Sequence, residues 1–170
     1  MRVPSHRLII ITAAALGILT ALAAAPASAQ EAVFVVRHAE RLDNSSDSPL
    51  SADGQARASR LAEQLRDARI TAIFATQFVR AADTAKPLAD RLGIPLQRVP
   101  AAQTLELIAR LRALGPSARV LVVGHSDTVP QILSALGSNG IVAIAPDEYD
   151  NLFIVLPHAG ATPTLLRLRY

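Results

Sequence analysis

The stretch Val-Leu-Val-Val-Gly-His-Ser at residues 120–126 carries the strongest strand signal of the chain. A short β-branched apolar run that ends in glycine predicts a strand buried on both faces, as in a parallel sheet. The stretch Val-Phe-Val-Val-Arg-His at residues 33–38 has the same character. Both stretches place polar residues, including a histidine, directly after a predicted buried strand.

Helical and extended patterns alternate outward from these two stretches. Further strands are predicted at residues 70–75, 95–99, 152–156 and 165–168, and helices after a capping Ser51 and at residues 79–92, 104–114 and 129–136. This order predicts an α/β three-layer sandwich, with helices on both faces of a mainly parallel central sheet that has an antiparallel edge. Ligands of such sheets bind outside the carboxyl ends of the strands, so the residues directly after each strand are the functional candidates.

Residues 1–29 have a different composition from the rest of the chain. Two arginines precede an uncharged run of 18 residues, Leu8–Ala25, and the triplet Ala27-Ser28-Ala29 follows it. This layout predicts a secretory signal peptide at residues 1–29, cleaved before Gln30, and one folded domain at residues 30–170. An uncleaved membrane anchor is the alternative, because the run approaches the length that spans a bilayer. We therefore expect a periplasmic or secreted protein that contacts the membrane only if the segment is uncleaved.

Composition excludes several functional classes. The chain has no cysteine, which excludes disulfide scaffolds, cysteine nucleophiles and thiolate zinc sites. Lys86 is the single lysine, so a phosphate-binding P-loop with its glycine–lysine signature is absent. The net charge of +3 falls to +1 without the two arginines of residues 1–29, which gives no case for a nucleic-acid partner.

Three predicted strand ends carry polar side chains that core packing does not explain. They are Arg37, His38 and Glu40 after the first strand, Arg80 in the helix after the second, and His125, Ser126 and Asp127 after the fourth. A guanidinium group can bind two oxygens of a phosphate monoester together. A neutral imidazole can attack phosphorus and form a phosphohistidine. Two arginines and two histidines at one edge of a sheet therefore favour phosphoryl chemistry that needs no metal or other cofactor.

The same residues carry a resemblance to a known family. Arg37-His38-Ala39-Glu40 resembles the R-H-G or R-H-A-E signature of the histidine phosphatase superfamily, which has the phosphoglycerate mutase-like fold. Gly124-His125-Ser126 resembles the family's second-histidine motif, and residues 50–58 and 76–85 resemble the two stretches expected between them. The four motifs come in the family order and span residues 33–130.

The resemblance implies a role for each matched residue. His38 would be the nucleophile that becomes phosphorylated, while Arg37, Arg80 and His125 would hold the phosphoryl group. Asn44 falls where many members place a phosphate-contacting asparagine. The resemblance thus implies a phosphatase that hydrolyses phosphate monoesters or phosphoramidates, and the predicted signal peptide implies that this small protein is exported.

The proton donor has two candidates. Asp127 follows a strand and is favoured over Glu106, which lies within a helical apolar pattern. We interpret Glu40 either as an ion-pair partner that holds Arg37 or as a catalytic group, and Arg41 as a rim residue. The acidic residues between 147 and 150 are interpreted as a solvated turn before a strand.

Two other functions fit part of the sequence. A serine hydrolase would use Ser126, since residues 124–128 approximate the G-x-S-x-G elbow, with Asp147 or Asp150 and then His158 following in order. Thr128 in place of the second glycine argues against it. A phosphate-binding module without catalysis is the other alternative.

Because few insertions cover the pocket, we expect phosphate groups on larger partners, such as envelope sugars, lipids or proteins.

Overall fold

The computed structural model describes residues 30–170, and the predicted signal peptide lies outside the described residues. The elements are β1 (Ala32–Arg37), α1 (Ala52–Gln64), β2 (Ala72–Ala75), α2 (Val79–Leu92), β3 (Leu96–Arg98), α3 (Thr104–Arg112), β4 (Arg119–Gly124), α4 (Thr128–Ala135), β5 (Asn151–His158) and β6 (Ala161–Arg169). Every predicted strand and helix is present. The largest difference is β6, which begins at Ala161 because a tight hairpin with a left-handed Gly160 extends its pairing with β5. Within these residues, no helix is long and apolar enough to cross a bilayer.

The six strands form one mixed sheet in the order β3-β2-β4-β1-β5-β6. The strands β1, β2, β3 and β4 run parallel, whereas β5 pairs antiparallel with both β1 and β6. The prediction of a mainly parallel sheet with an antiparallel edge is confirmed.

Two helical layers cover the sheet, because successive side chains of β1 pack against opposite layers. Phe34 and Val36 pack with residues of α1 and α2 on one face, and Val33 and Val35 pack with residues of α3 and α4 on the other. All four side chains are buried. A strand that is apolar at every position therefore lies between two cores, which is the physical reason for its unbroken β-branched sequence.

The strand register brings the polar strand ends to one edge of the sheet. Arg37 pairs with Gly124 across β1 and β4, and Ala75 pairs with Val123 across β2 and β4. Because β5 runs against β1, the chain just before β5 lies at this same edge. His158, the last residue of β5, lies at the opposite edge.

The start of α1 supports the backbone that follows His38. Ser51 caps the helix, its hydroxyl accepting a hydrogen bond from the Gly54 amide at 3.1 Å, while the Ser51 amide donates to the Glu40 carbonyl at 2.9 Å. A Cβ atom at Gly54 would lie 2.1 Å from that carbonyl oxygen. The glycine therefore lets the first turn of α1 pack directly against the loop after β1.

Candidate active site

A cavity of about 420 Å³ opens at the carboxyl edge of the parallel strands. Its lining residues are Arg37, His38, Arg41, Phe78, Arg80, Ala101, His125, Ser126 and Asp127. The structure thus brings together Arg37, His38, Arg80, His125 and Asp127, whereas Asn44 and the alternative proton donor Glu106 lie outside the lining. Among residues 30–170, no cluster of three or more His, Asp or Glu side chains is arranged to hold a metal ion.

His38 presents one ring nitrogen as a nucleophile. The ring is 4% exposed, and Nδ1 lies 2.7 Å from the Ala39 carbonyl oxygen. A carbonyl only accepts hydrogen bonds, so Nδ1 carries the proton of the neutral ring and Nε2 keeps its lone pair. Burial lowers the pKa of His38 to about 3, against the opposing effect of that hydrogen bond, and the nearby His125, Arg80 and Arg37 lower it further. His38 is therefore neutral at physiological pH.

His125 stands beside the first imidazole. The two ring centroids are 5.0 Å apart, and Nε2 of His125 lies 2.7 Å from the Thr76 hydroxyl oxygen. Burial, followed by the positive charge of Arg80, lowers the pKa of His125 to about 4. The second imidazole is thus fixed at the cavity as a neutral hydrogen-bonding group.

The two arginines keep donors free for a ligand. Arg37 Nη1 donates to three backbone carbonyls, and Arg80 Nη1 donates to the Ser46 carbonyl at 3.0 Å. In both side chains Nε is buried and has no hydrogen-bond partner in the described part of the chain. Burial lowers the pKa of both guanidinium groups. Nη2 of each guanidinium group also has no partner in these residues and is not buried, so an anion in the cavity can accept a hydrogen bond from it.

Arg37 and Arg80 each pack against an aromatic ring that also lies beside one of the two histidines. Phe78 lies 4.4 Å from the Arg80 guanidinium carbon and 5.2 Å from the His125 ring. Tyr149 lies 4.0 Å from the Arg37 guanidinium carbon, with its centroid 6.1 Å from that of His38. Sequence reasoning missed both residues. Phe78 lies within the matched stretch at residues 76–85, which could have revealed it.

Thr84 is a second residue that sequence reasoning missed. Its hydroxyl oxygen accepts a hydrogen bond from the Ala39 amide at 2.9 Å and donates to the Arg80 carbonyl at 2.8 Å. One buried side chain therefore fixes the loop after His38 against the helix that carries Arg80. Its place in the matched stretch at residues 76–85 could have revealed it.

Asn44 lies outside the cavity lining. Its Oδ1 accepts a hydrogen bond from Arg41 Nη2 at 2.8 Å, and both residues are exposed. Arg41 lines the cavity, as expected of a rim residue. A direct contact between Asn44 and phosphate stays a prediction.

Of the three carboxyl groups considered for phosphoryl transfer, only that of Asp127 lies at the cavity. Asp127 lines the cavity and caps α4, accepting a hydrogen bond from the Thr128 amide at 2.9 Å. Glu106 lies outside the lining and pairs with Arg110 on the exposed side of α3. Glu40 receives two hydrogen bonds from Arg57 Nε, at 2.8 and 2.9 Å. The interpretation of Glu40 as the ion-pair partner of Arg37 is wrong, because α1 supplies a closer guanidinium group.

The groups that a serine hydrolase would need are dispersed. Ser126 lines the cavity, but His158 lies at the far edge of the sheet, where its Nε2 is 2.8 Å from the Thr164 hydroxyl. Asp150 pairs with Arg169 on β6. The antiparallel direction of β5 is the physical reason that this alternative has no assembled triad.

Acidification should destabilise the fold through its two neutral histidines. Their pKa values in the folded protein, about 3 and about 4, lie below the ordinary value of 6.5. Between these folded-state values and pH 6.5, the unfolded state therefore binds more protons than the folded state. Stability present above pH 6.5 is lost as the pH falls toward the folded-state values. We expect the Tm of the wild type to fall more steeply below about pH 6.5 than that of His38→Ala, as thermal unfolding at several pH values will measure. Parallel pH profiles for the two proteins would contradict the neutral assignment of His38.

Comparison with protein families shows what this site resembles. The model of the histidine phosphatase superfamily (branch 1) matches residues 33–104, which is less than half of the chain. Over these residues, which include Arg37, His38 and Arg80, the chain is similar to the histidine phosphatase superfamily. A curated superfamily relative, the probable phosphoglycerate mutase GpmB of Enterobacter sp. (strain 638), is 35% identical over 82 residues, 44% of this chain. The match spans 38% of that relative's length.

Solved structures share the fold over most of the described residues. The protein histidine phosphatase SixA complexed with tungstate superposes with a TM-score of 0.66 and 23% identity, covering 81% of this chain and 96% of that one. A mycobacterial glucosyl-3-phosphoglycerate phosphatase superposes with a TM-score of 0.65 and 16% identity, covering 82% of this chain and 98% of that one. The similarity confirms the histidine phosphatase-like α/β fold.

Proposed function

We propose that this protein is a histidine phosphatase, which hydrolyses phosphate monoesters or phosphoramidates through a phosphohistidine on His38. One observation carries the proposal: a neutral His38 lines the same cavity as two arginines whose Nη2 donors are not buried and have no partner in the described residues. A phosphoryl dianion offers acceptors to both guanidinium groups and an electrophilic phosphorus to the imidazole.

The first chemical step transfers the phosphoryl group to the protein. The lone pair of His38 Nε2 forms a bond to phosphorus while the bond to the leaving group breaks, and the leaving group departs with that electron pair. Asp127 is the proposed general acid, which donates a proton to the leaving oxygen or nitrogen. Arg37, Arg80 and His125 stabilise the charge on the equatorial oxygens in the transition state.

The second step releases inorganic phosphate. Water attacks phosphorus, the Asp127 carboxylate takes a proton from it, and the nitrogen–phosphorus bond breaks with its electron pair returning to Nε2. This step restores neutral His38 and protonated Asp127. No metal ion takes part in the proposed cycle, because the guanidinium groups supply the positive charge.

The substrate class is proposed on the character of the cavity. Both structural relatives are named as phosphatases, one acting on a protein histidine and one on a glucosyl-phosphoglycerate. In this chain the exposed Arg41 lines the same cavity. We favour phosphate groups on larger molecules, such as envelope sugars, lipids or proteins.

Export is part of the proposal and rests on the composition of residues 1–29. We propose that the chain is secreted or periplasmic after cleavage before Gln30. Intact-mass analysis of the protein recovered outside the cytoplasm should give a chain that begins at Gln30. Recovery of the full-length chain in the membrane would contradict the cleavage.

The activity is tested with purified protein and p-nitrophenyl phosphate. We expect phosphate release that vanadate inhibits, that chelators leave unchanged, and that persists in the Ser126→Ala variant. Binding of phosphate without turnover would support the binding-module alternative instead. Loss of activity in Ser126→Ala alone would favour the serine hydrolase.

A further inference from the structure

A single turn holds the guanidinium group of Arg37. Its Nη1 donates to the carbonyl oxygens of Ala145 at 3.0 Å, Pro146 at 2.9 Å and Glu148 at 3.1 Å. This turn, residues 145–148, precedes β5, and the antiparallel direction of β5 brings it to the edge where the cavity opens. Saturation of Nη1 from one side leaves Nη2 of Arg37, which has no hydrogen-bond partner in the described residues and is not buried, for a ligand.

The side chain of Glu148 closes this turn. Its Oε2 accepts a hydrogen bond from the Ala145 amide at 2.9 Å, while its own amide donates to the Ala145 carbonyl at 3.0 Å. The hydrogen bond from Ala145, then the one from Arg169, lowers the pKa of Glu148, which keeps the carboxylate charged. One carboxylate therefore fixes both ends of the turn that contacts Arg37.

The same carboxylate anchors the turn to β6. Glu148 Oε1 lies 2.8 Å from Arg169 Nη2 and 3.2 Å from Arg167 Nη2. Tyr149, the next residue, places its ring 4.0 Å from the Arg37 guanidinium carbon. The position of Arg37 is thus coupled to an edge strand that contributes no residue to the cavity lining.

We infer that Glu148 is a positioning residue, which orients Arg37 for phosphoryl binding through the 145–148 turn and its anchor on β6; the inference rests on the proposed function. Glu148 lies outside the cavity lining, so it acts on the ligand only through Arg37. Without the carboxylate, the turn carbonyls lose their fixed placement and the fork of Arg37 loses its orientation toward the oxygens it binds.

The chain supplies a matched control for this inference. Asp150 also pairs with Arg169, but its side chain makes no hydrogen bond to the 145–148 turn. Asp150→Asn therefore removes a surface ion pair of the same kind and leaves the turn intact. Glu148→Gln keeps an oxygen that can accept from the Ala145 amide and loses the charge that binds β6.

The kinetic test measures two quantities in each variant: the inhibition constant of inorganic phosphate and the KM for p-nitrophenyl phosphate. We expect Glu148→Ala to raise both by about tenfold, since misplacing a binding group by a fraction of an ångström costs less than the ~10²-fold of a 1 Å error. Glu148→Gln should fall between Glu148→Ala and the wild type, and Asp150→Asn should match the wild type. Unchanged phosphate affinity in Glu148→Ala, with the fold retained, would overturn the inference.

A spectroscopic measurement separates this inference from the proposed function. The Nε hydrogen of Arg37 is buried, so its resonance in a ¹H–¹⁵N correlation spectrum should exchange slowly with solvent. We expect Glu148→Ala to shift that resonance and speed its exchange, and Asp150→Asn to leave it unchanged. If the wild type neither binds phosphate nor hydrolyses the ester, the proposed function fails, while this resonance still tests the positioning. An unchanged Arg37 Nε resonance in both Glu148→Ala and Glu148→Gln would refute the positioning role of Glu148.

Discussion

Replacing His38 with alanine should lower phosphate release from p-nitrophenyl phosphate by at least about 10³-fold, because loss of a catalytic nucleophile removes the route through the covalent intermediate. The variant should remain folded, since the His38 amide still donates to the Gly124 carbonyl at the end of β1. Steady-state rates and thermal unfolding of the same preparation measure both effects.

The control for this prediction is Ser126→Ala, which changes another residue of the same cavity. Ser126 has no role in the proposed cycle, so this variant should retain turnover. Turnover that survives in His38→Ala at the wild-type rate would refute the nucleophile assignment.

Replacing Arg80 with lysine should lower kcat/KM by about 10- to 100-fold. Hydrogen bonds to charged groups contribute about 1.5–3 kcal/mol, and each 1.4 kcal/mol is a factor of ten. Lysine keeps the charge but lacks the planar fork, and its ammonium group cannot reproduce both the hydrogen bond to the Ser46 carbonyl and the free Nη2 donor. Kinetics with p-nitrophenyl phosphate and inhibition by vanadate will measure the loss.

Arg91→Lys is the matched control on the same helix, because Arg91 pairs with Glu63 at the surface. Exposed ion pairs contribute little, so this variant should have wild-type kinetics. Equal effects of the two substitutions would show that the loss in Arg80→Lys reflects a general disturbance of α2 rather than a phosphoryl contact.

The fold was predictable from the sequence because its signals are local. The β-branched runs of β1 and β4 are apolar at every position, and two helical layers cover both of their faces. The capping Ser51 and the left-handed Gly93 mark helix ends that the structure also shows. The predicted convergence of His38 and His125 follows from the parallel pairing of those two strands.

The parts of the site that sequence reasoning missed depend on contacts distant along the chain. The acidic segment at residues 147–150 was interpreted as a solvated turn, yet the Glu148 carbonyl contacts Arg37, 111 positions away. Glu40 pairs with Arg57 on the next helix rather than with Arg37. Neither contact leaves a periodic pattern in the sequence, because both depend on how loops fold against the sheet.

The phosphohistidine is the central claim, and rapid quenching of the reaction followed by mass spectrometry of the peptides tests it most directly. We predict one phosphoryl group, stable in alkali and labile in acid, on the peptide that contains His38, and no label in His38→Ala. A phosphoryl group on Ser126, or phosphate release by His38→Ala at the wild-type rate without any labelled intermediate, would contradict the account.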